Sequence, residues 1–352
     1  MLLELLDYIA ENKCSDLHLK VGSRPIQRKN TVLSYFGRME PVTKEEMDGI
    51  VNDIFTEYAW KNFEKNMNFD MSYEIPGKAR FRINISKDKN SYTLAARYIP
   101  KEIPSMKELG LPEKLKDITA MSDGLILITG ATGNGKSTTV ASMLNYLNQR
   151  LNRRIYTLED PIEYEFEDEC SIITQRELGR DMVSFDLALK YVLRQDPDII
   201  FVGEMRDKET VKAAIRAAET GHLVIATLHT RDAIQTIDRI VDIFPGEQQS
   251  QVKSQLSKLL QMIVSQQLLI NRKGGMILAC EVLINTPAIG NLIREGKGHQ
   301  VYSMLETGGE YGMMTFENAL DGLARDGYID KGDKEKNVAS RAIYKDKEKE
   351  RV

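Results

Sequence analysis

Long apolar segments and paired cysteines are both missing from this sequence, and each absence excludes a class of protein. No apolar run approaches the roughly 20 residues that a membrane-spanning helix requires, so any membrane role is expected to be peripheral. The three cysteines are far apart and form no Cys-x-x-Cys pair. A disulfide framework or a cysteine zinc site is therefore not expected, and a reducing cytoplasm fits. The first 16 residues carry acids within an apolar stripe, which predicts an amphipathic helix and not a signal peptide.

An excess of positive charge is also missing. The 48 Lys and Arg residues against 52 Asp and Glu residues give a net charge of −4 and a pI of about 5.8, which argues against a primary nucleic-acid binder. With 42% apolar and 28% charged residues, a packed globular body is expected. A chain of 352 residues is too long for a single core, so we expect two domains.

What the sequence does contain is a complete phosphate-binding motif at residues 125–138, LILITGATGNGKST. An apolar strand, a glycine loop and an amphipathic helix follow one another in the order that a Walker A motif requires. The glycines let backbone N–H groups turn around phosphate oxygens, and the helix directs its N-terminal dipole at the same anion. We expect Lys136 to reach the β- and γ-phosphates and Ser137 to ligate Mg²⁺. The loop residues predicted to bind a nucleoside triphosphate are Gly130, Ala131, Thr132, Gly133, Asn134, Gly135, Lys136, Ser137 and Thr138.

The apolar pattern divides the chain into two parts. From about residue 118 to 283, strands alternate with helices, which predicts an α/β domain with a doubly wound, mainly parallel sheet. The strands and helices before it predict a smaller α/β domain. The predicted organisation is therefore an N-terminal domain at 1–98, a proline-bearing linker at 99–115, a nucleotide-binding domain at 116–330 and a charged tail, expected to be disordered, at 331–352.

Three local patterns make specific structural predictions. Thr43 or a neighbour is expected to cap a helix that continues through Trp60. His18 alternates with apolar residues on a strand and is expected on the solvent face. The Gln-rich stretch at 247–269 is expected to form one long helix.

Two acids follow predicted strands at the place where parallel sheets bind their ligands. Glu163 lies just beyond the second strand of the larger domain, and Glu204 comes directly after the third. An apolar strand followed by an acid is typical of a Walker B motif, which holds Mg²⁺. Because Gly203 stands where the usual Asp would be, Glu204 is expected to be the one acid of this motif that holds the metal. Glu163 is then the candidate for orienting or deprotonating the attacking water. The alternative for either acid is a helix cap or a solvated loop carboxylate.

Two histidines flank the fourth predicted strand. His222 and His229 are seven residues apart and face opposite sides of a strand, so they are not expected to share a metal. His229 follows the strand and is a candidate sensor of the γ-phosphate, whereas His222 precedes it and is a candidate for a subunit contact. The alternative for both is a purely structural role.

Three arginines form a candidate cluster in the N-terminal domain. Arg80 and Arg82 share one strand face by their period-2 spacing, and Arg97 is expected beside them on an adjoining strand. Such a cluster would stabilise phosphate charge on a nucleotide. The alternative is a set of ordinary arginines on a sheet surface.

Several longer stretches resemble one family, the retraction ATPases of type IV pili within the secretion ATPase superfamily. They are GATGNGKST at 130–138, TLEDPIEYEF at 157–166, RQDPDIIFVGEMRDKET at 194–210, TGHLVIATLHT at 220–230, RFRINI at 80–85 and IPSMKELGLP at 103–112. Together these matches are specific and cover roughly residues 1–325.

The resemblance implies a homohexameric ring in which each subunit joins a PAS-like N-terminal domain to a RecA-like ATPase domain. It implies hydrolysis of ATP with Mg²⁺ at subunit interfaces, and domain rotations transmitted to a platform protein of the inner membrane that disassembles the pilus in twitching motility. The motor itself would be cytoplasmic, at the inner face of the plasma membrane. By position the resemblance assigns phosphate and Mg²⁺ binding to Lys136 and Ser137, catalysis to Glu163 and the Walker B role to Glu204. It assigns His-box roles to His222 and His229. Among the arginines, it assigns nucleotide contacts to Arg82 and Arg97 and interface roles to Arg206 and Arg239.

One family motif is altered. The sequence AIRNLIRE of the retraction ATPases reads AIGNLIRE at 288–295, so Gly290 replaces its first arginine while Arg294 remains. That motif is associated with retraction and not with hydrolysis.

Three alternative functions stay open. An assembly or type II secretion ATPase would drive extension, but that branch has a larger N-terminal region and a cysteine-rich metal-binding insertion, which this chain lacks. A RecA-like nucleic-acid translocase fits poorly with the acidic pI and the absence of a basic patch with interleaved aromatics. A nucleotide-binding scaffold without turnover is the third.

Overall fold

The structure, a computed structural model, describes residues 1–29 and 32–337. It divides the chain into two units. The first comprises residues 1–103 together with the short segment 161–165, and the second comprises residues 104–160 and the chain from 166 onward. The segment that carries Glu163 therefore groups with the first unit. The domain boundaries expected from sequence stay a prediction.

The first unit is an antiparallel sheet with helices. Its strands lie in the order β3-β2-β1-β6-β5-β4. Along β5 the buried residues Phe81, Ile83 and Ile85 alternate with Arg80 and Arg82, so the apolar face packs in the core and the arginines share the other face. Its elements are α1 (Leu2–Glu11), β1 (Asp16–Lys20), β2 (Ile26–Lys29), β3 (Val32–Tyr35), α2 (Lys44–Ile54), α3 (Glu57–Asn66), β4 (Asn68–Ile75), β5 (Ala79–Asp88) and β6 (Ser91–Ile99).

Two local predictions for this unit are wrong. Thr43 does cap a helix, but the helix ends at Ile54, because Phe55 is extended and Thr56 caps a second helix by accepting from the Ala59 N–H at 3.3 Å. His18 is half-buried and not on the solvent face: its Nε2 atom is shielded from solvent and has no hydrogen-bond partner among the described residues. Strand β1 lies inside the sheet, where His18 is paired with Ile26 on β2 and Ala95 on β6, so side chains on the same face flank it from both sides. The same burial lowers the pKa of His18.

The second unit is built on a seven-stranded sheet in the order β13-β12-β7-β11-β10-β8-β9, in which only the β12–β13 pair is antiparallel. Leu125 and Leu127 of β7 pack into one hydrophobic cluster, and Ile126 and Ile128 pack into another, so both faces of the sheet are covered. The predicted doubly wound, mainly parallel sheet is confirmed. The elements are α4 (Leu115–Thr119), β7 (Gly124–Thr129), α5 (Lys136–Asn148), β8 (Arg154–Glu159), β9 (Ile172–Glu177), α6 (Phe185–Val192), β10 (Ile199–Val202), α7 (Lys208–Glu219), β11 (Leu223–Leu228), α8 (Ala233–Asp242), α9 (Gly246–Leu259), β12 (Leu260–Ile270), β13 (Met276–Ile284), α10 (Pro287–Glu295), α11 (Gly298–Thr307), a 3₁₀ turn (Gly308–Tyr311) and α12 (Phe316–Arg325).

The single long helix predicted at 247–269 is wrong, because this stretch forms a helix followed by a strand. The helix α9 ends at Leu259, and the chain continues without a loop into β12, which pairs in parallel with β7. Six of the first seven residues of β12 are buried. A strand buried on both faces loses its alternating pattern, so its apolar run resembles the core face of a helix.

The tail predicted to be disordered from Lys331 is helical over its first seven residues, 331–337. Lys334 forms an ion pair with Asp321, and Gln267 Nε2 donates to Asn337 Oδ1 at 2.9 Å. These two contacts attach the helical segment to the rest of the second unit. Residues 338–352 lie outside the described residues. In the part of the chain that the structure describes, no helix has both the length and the apolar character needed to span a bilayer.

Candidate nucleotide-binding site

Three glycines give the loop between β7 and α5 a shape that other residues would strain. Gly130, Gly133 and Gly135 have φ angles of 146°, 82° and 77°, which disfavour any side chain with a Cβ. Space is missing at Gly130 as well, since an added Cβ would lie 2.5 Å from the backbone oxygen of Gln266 on β12. The loop conformation therefore depends on these glycines.

Lys136, the first residue of α5, lies folded across the loop. Its side chain is buried, and Nζ donates to the backbone oxygens of Gly130 at 2.7 Å and Ala131 at 3.2 Å. Nζ also lies 3.3 Å from Nδ1 of His229. The lysine charge is thus held at the mouth of the glycine loop by carbonyl oxygens and a histidine.

His229 joins this lysine to Glu204. Its Nε2 atom lies 3.0 Å from Oε1 of Glu204, while Nη2 of Arg206 lies 2.7 Å from Oε2 of the same carboxylate. A lysine ammonium can only donate, so Nδ1 of His229 accepts and Nε2 carries the proton that is donated to Glu204. His229 thus links the lysine to the carboxylate through its two ring nitrogens.

Glu204 is held ionised by its neighbours. Burial by itself would raise the pKa of Glu204, but the hydrogen bonds from Arg206 and His229 and the charge of Arg206 outweigh it, so the pKa is lowered from its ordinary value. The same ion pair raises the pKa of Arg206. An acid that its neighbours keep in the charged form therefore follows β10.

The fold explains why a glycine precedes this acid. An added Cβ at Gly203 would lie 2.9 Å from the backbone oxygen of Leu158 and 3.2 Å from Cα of Glu159. Strand β8 thus approaches β10 too closely for the Asp of a typical Walker B motif. An Asp is therefore excluded at Gly203 for a steric reason, and Glu204 is the first acid after β10.

Strand order brings the predicted residues of the second unit together. Strands β7, β11 and β10 are neighbours and run in parallel, so the loop after β7, His229 after β11 and Glu204 after β10 share one edge of the sheet. His222 precedes β11 and lies at the other edge, because six strand residues span about 20 Å. Its Nδ1 atom lies 3.0 Å from the backbone oxygen of Ala217 and 3.1 Å from the hydroxyl of Thr220, which favours the structural alternative within one chain.

Sequence reasoning missed two contributors to this edge. Gln266 on β12 donates from Nε2 to the backbone oxygen of Asn134 at 2.7 Å, and no pattern indicated it because its strand was read as helix. Glu159, at the end of β8, is a buried carboxylate that accepts from the hydroxyl of Thr157 at 2.6 Å and from Nε2 of Gln175 at 3.2 Å.

The arginine cluster predicted in the first unit is present as a spatial cluster. Arg82 and Arg97 are directly opposite each other on β5 and β6, and Arg80 is two residues along on the same face. Like charges so placed repel each other, and each arginine has an acid beside it. Nε of Arg97 lies 2.9 Å from Oδ1 of Asp16, Nε of Arg82 lies 3.5 Å from Oδ1 of Asp70, and Arg80 pairs with Glu165.

The remaining candidates are placed as follows. Glu163 is half-buried in the segment that groups with the first unit. Arg239 is exposed in the last turn of α8. Among the described residues no group of three or more His, Cys, Asp or Glu side chains is arranged to hold a metal.

Comparisons with known proteins converge on one group. Residues 53–301 match the family described as Type II/IV secretion system protein. The type IV pilus retraction ATPase PilT of Pseudomonas aeruginosa is 45% identical over 93% of this chain and 94% of that protein. A twitching motility protein of Neisseria gonorrhoeae is 44% identical over 82% of this chain and 77% of that protein. A crystal structure of the pilus retraction motor PilT with bound ADP superposes with a TM-score of 0.85 at 46% identity, covering 94% of this chain and 95% of that one.

Proposed function

The chain belongs to the Type II/IV secretion system protein family, and from that premise we propose that it is a motor ATPase that powers retraction of type IV pili. The predicted family resemblance is thereby confirmed. The observation that carries the catalytic part is the chain of contacts from Lys136 through His229 to Glu204, at the sheet edge where the glycine loop lies.

The protein is an ATPase, and we propose that the loop between β7 and α5 binds the nucleotide. The glycine loop offers backbone N–H groups and the N-terminus of α5 to phosphate. The Lys136 ammonium, now shared between carbonyl oxygens and His229, supplies the positive charge for the β- and γ-phosphates. His229 contacts both that lysine and Glu204, so it is placed to respond when phosphate draws Lys136 away.

We propose Mg²⁺ as the metal that accompanies ATP. It prefers hard oxygen ligands and takes only one or two from protein, with phosphate oxygens and waters completing the shell. The hydroxyl of Ser137 and the carboxylate of Glu204 fit that chemistry. Because both carboxylate oxygens of Glu204 have partners, His229 and Arg206 would orient the acid toward metal-bound water. The metal, when bound, neutralises phosphate charge.

We propose Glu163 as the group that orients or deprotonates the attacking water. Arg82 and Arg97 are proposed to contact nucleotide, and Arg206 and Arg239 to act at subunit interfaces. The placement of Arg82 opposite Arg97 on one sheet face supports a shared anionic ligand, since phosphate oxygens can accept from two guanidinium groups at once.

We further propose a homohexamer that acts on pilus machinery through an inner-membrane platform protein, from the cytoplasmic face. Each subunit would join a PAS-like domain to a RecA-like domain, as expected from sequence. A nucleic-acid partner is not proposed, because the net charge of −4 offers no general attraction to phosphate backbones.

The test has a biochemical arm and a cellular arm. Purified protein with Mg·ATP should release phosphate well above a Lys136→Ala control; equal rates would remove the ATPase assignment. A strain that lacks the gene should be hyperpiliated and unable to twitch. A strain without pili would instead support the assembly or secretion alternative, and ATPase stimulation by DNA at physiological salt would support a translocase.

A further inference from the structure

Strand β12 holds the glycine loop from outside the motif. Gln266 is 1% exposed, and its Nε2 atom donates to the backbone oxygen of Asn134 at 2.7 Å. Two residues further along the strand, the backbone N–H of Leu268 donates to Oδ1 of Asn134 at 3.3 Å. Asn134 is therefore fastened to β12 through both its backbone and its side chain.

The same strand meets the loop at three other places. The carbonyl of Gln266 lies so near Gly130 that a Cβ there would be 2.5 Å from its oxygen, and a Cβ at Gly135 would lie 3.5 Å from Leu268. Just before the loop, the buried hydroxyls of Thr129 and Ser265 are 2.9 Å apart. Both ends of the loop thus rest against β12.

The Gln266 side chain makes a single hydrogen bond among the described residues. Its Oε1 atom is buried and has no hydrogen-bond partner there, which is an unfavourable arrangement for an amide. An apolar side chain would fill the same space without that cost. What the amide adds is the N–H that binds the loop.

The direction of this hydrogen bond has a consequence for phosphate binding. In a trans peptide the C=O and the following N–H point in opposite directions. When the Asn134 carbonyl is turned toward β12, the N–H of Gly135 is turned to the other side of the loop. In a P-loop that is the side on which backbone N–H groups meet phosphate.

We propose that Gln266 is a positioning residue for nucleotide binding, which fixes the Asn134–Gly135 peptide in its phosphate-binding orientation. The inference rests on the nucleotide site of the proposed function, and requires nothing of pilus retraction. Gln266 touches the loop and not the reacting atoms, so its loss should weaken nucleotide binding more than it slows chemistry.

The chain offers a matched control in the adjacent glutamine. Gln267 is on the same strand with its side chain on the opposite face, where Nε2 donates to Asn337 at 2.9 Å. Gln266→Met and Gln267→Met each remove one amide and keep a side chain of similar length. We expect Gln266→Met to weaken binding of fluorescent ADP by about tenfold, the effect of one lost hydrogen bond. KM for ATP should rise by a similar factor with little change in kcat, and Gln267→Met should behave as wild type.

Wild-type affinity in Gln266→Met, or an equal loss in both variants, would overturn the proposal. If circular dichroism shows that Gln266→Met does not fold, Asn134→Ala tests the second attachment: weaker ADP binding supports the proposal, and unchanged binding overturns it. A wild-type chain that failed to bind ADP would instead refute the nucleotide site itself, so the two failures are distinguishable.

Discussion

The two sheets of this protein bury their strands in different ways. In the first unit, β5 alternates between buried residues and half-exposed ones over its first eight positions. In the second unit, β7 and β11 are buried at all six of their positions. Side chains that can meet a ligand therefore lie along the strands in the first unit, and only beyond the strand ends in the second.

This difference decides what each unit can contribute to a phosphate site. The open face of the first sheet carries Arg80, Arg82 and Arg97 at adjoining positions, each beside an acid. The second sheet gathers Lys136, Glu204 and His229 from separate strand ends into one contact network. Charge on an open face can be removed with modest effect, whereas a group at a strand end is part of a connected set.

The largest effect is expected from Glu163→Gln, which asks whether the first unit contributes to the chemistry itself. The substitution keeps the shape of the side chain and removes the base, so nucleotide binding should stay intact while turnover falls by about 10²-fold or more. Phosphate release and ADP binding measure the two. Glu167→Gln, at an exposed glutamate nearby, should behave as wild type; unchanged turnover in Glu163→Gln would place the base in the second unit.

A smaller loss is expected from Arg97→Ala. The substitution removes the proposed charge-assisted contact to phosphate, so kcat/KM for ATP should fall by about tenfold. Arg28→Ala is the matched control, since Arg28 also lies near Asp16, with 3.9 Å between Nε and Oδ2. If both variants lose the same activity, the effect belongs to Asp16 and the sheet, and the arginine cluster has no nucleotide role.

Gly290→Ala tests the second unit away from its strand ends. A Cβ at this position would lie 2.6 Å from the backbone oxygen of Ser257 in α9, so the substitution should lower the free energy of unfolding by about 1–3 kcal/mol. Gly322→Ala in α12 meets nothing within 4 Å and should be neutral or stabilising by up to about 1 kcal/mol. Urea unfolding compares them.

Because the backbone oxygen of Ser257 leaves no room for a side chain at Gly290, Gly290→Arg should destabilise the packing of α10 on α9. Although this substitution restores the family arginine, it should not improve retraction. Equal stability of wild type and Gly290→Ala would contradict this account. Improved twitching in Gly290→Arg would show that the arginine is the limiting group.

The smallest effect is expected on stability when the pH is lowered. The pKa of Glu204 is lowered in the folded protein, so its ion pair stabilises the fold above the ordinary pKa of a glutamate, and this contribution is lost as pH falls through the lowered value. The difference in thermal midpoint between wild type and Glu204→Gln should therefore shrink in acid. A difference independent of pH would mean that the pair contributes no linked stability.

Prediction from sequence succeeded where a local pattern has one physical meaning. The alternation of Phe81, Ile83 and Ile85 located β5 and its arginine face, and the glycine loop between an apolar strand and a helix located the phosphate site. It failed where the pattern has two meanings, because the largely buried first part of β12 has the composition of a helix core. It also failed at His18, since the side chains that flank it come from Ile26 and Ala95 on the two paired strands.

By itself the sequence determined the chemistry available to this protein, because residue types and their spacing define a Walker A loop, a strand-end acid and a family. Only the tertiary structure decided which of these groups meet. Strand order places His229 between Lys136 and Glu204 and leaves His222 at the other edge. The close approach of β8 excludes an Asp at Gly203, and a strand more than 120 residues downstream holds the glycine loop through Gln266. The physical reason is that contacts of long sequence separation depend on which strands pair, and no local period encodes that pairing.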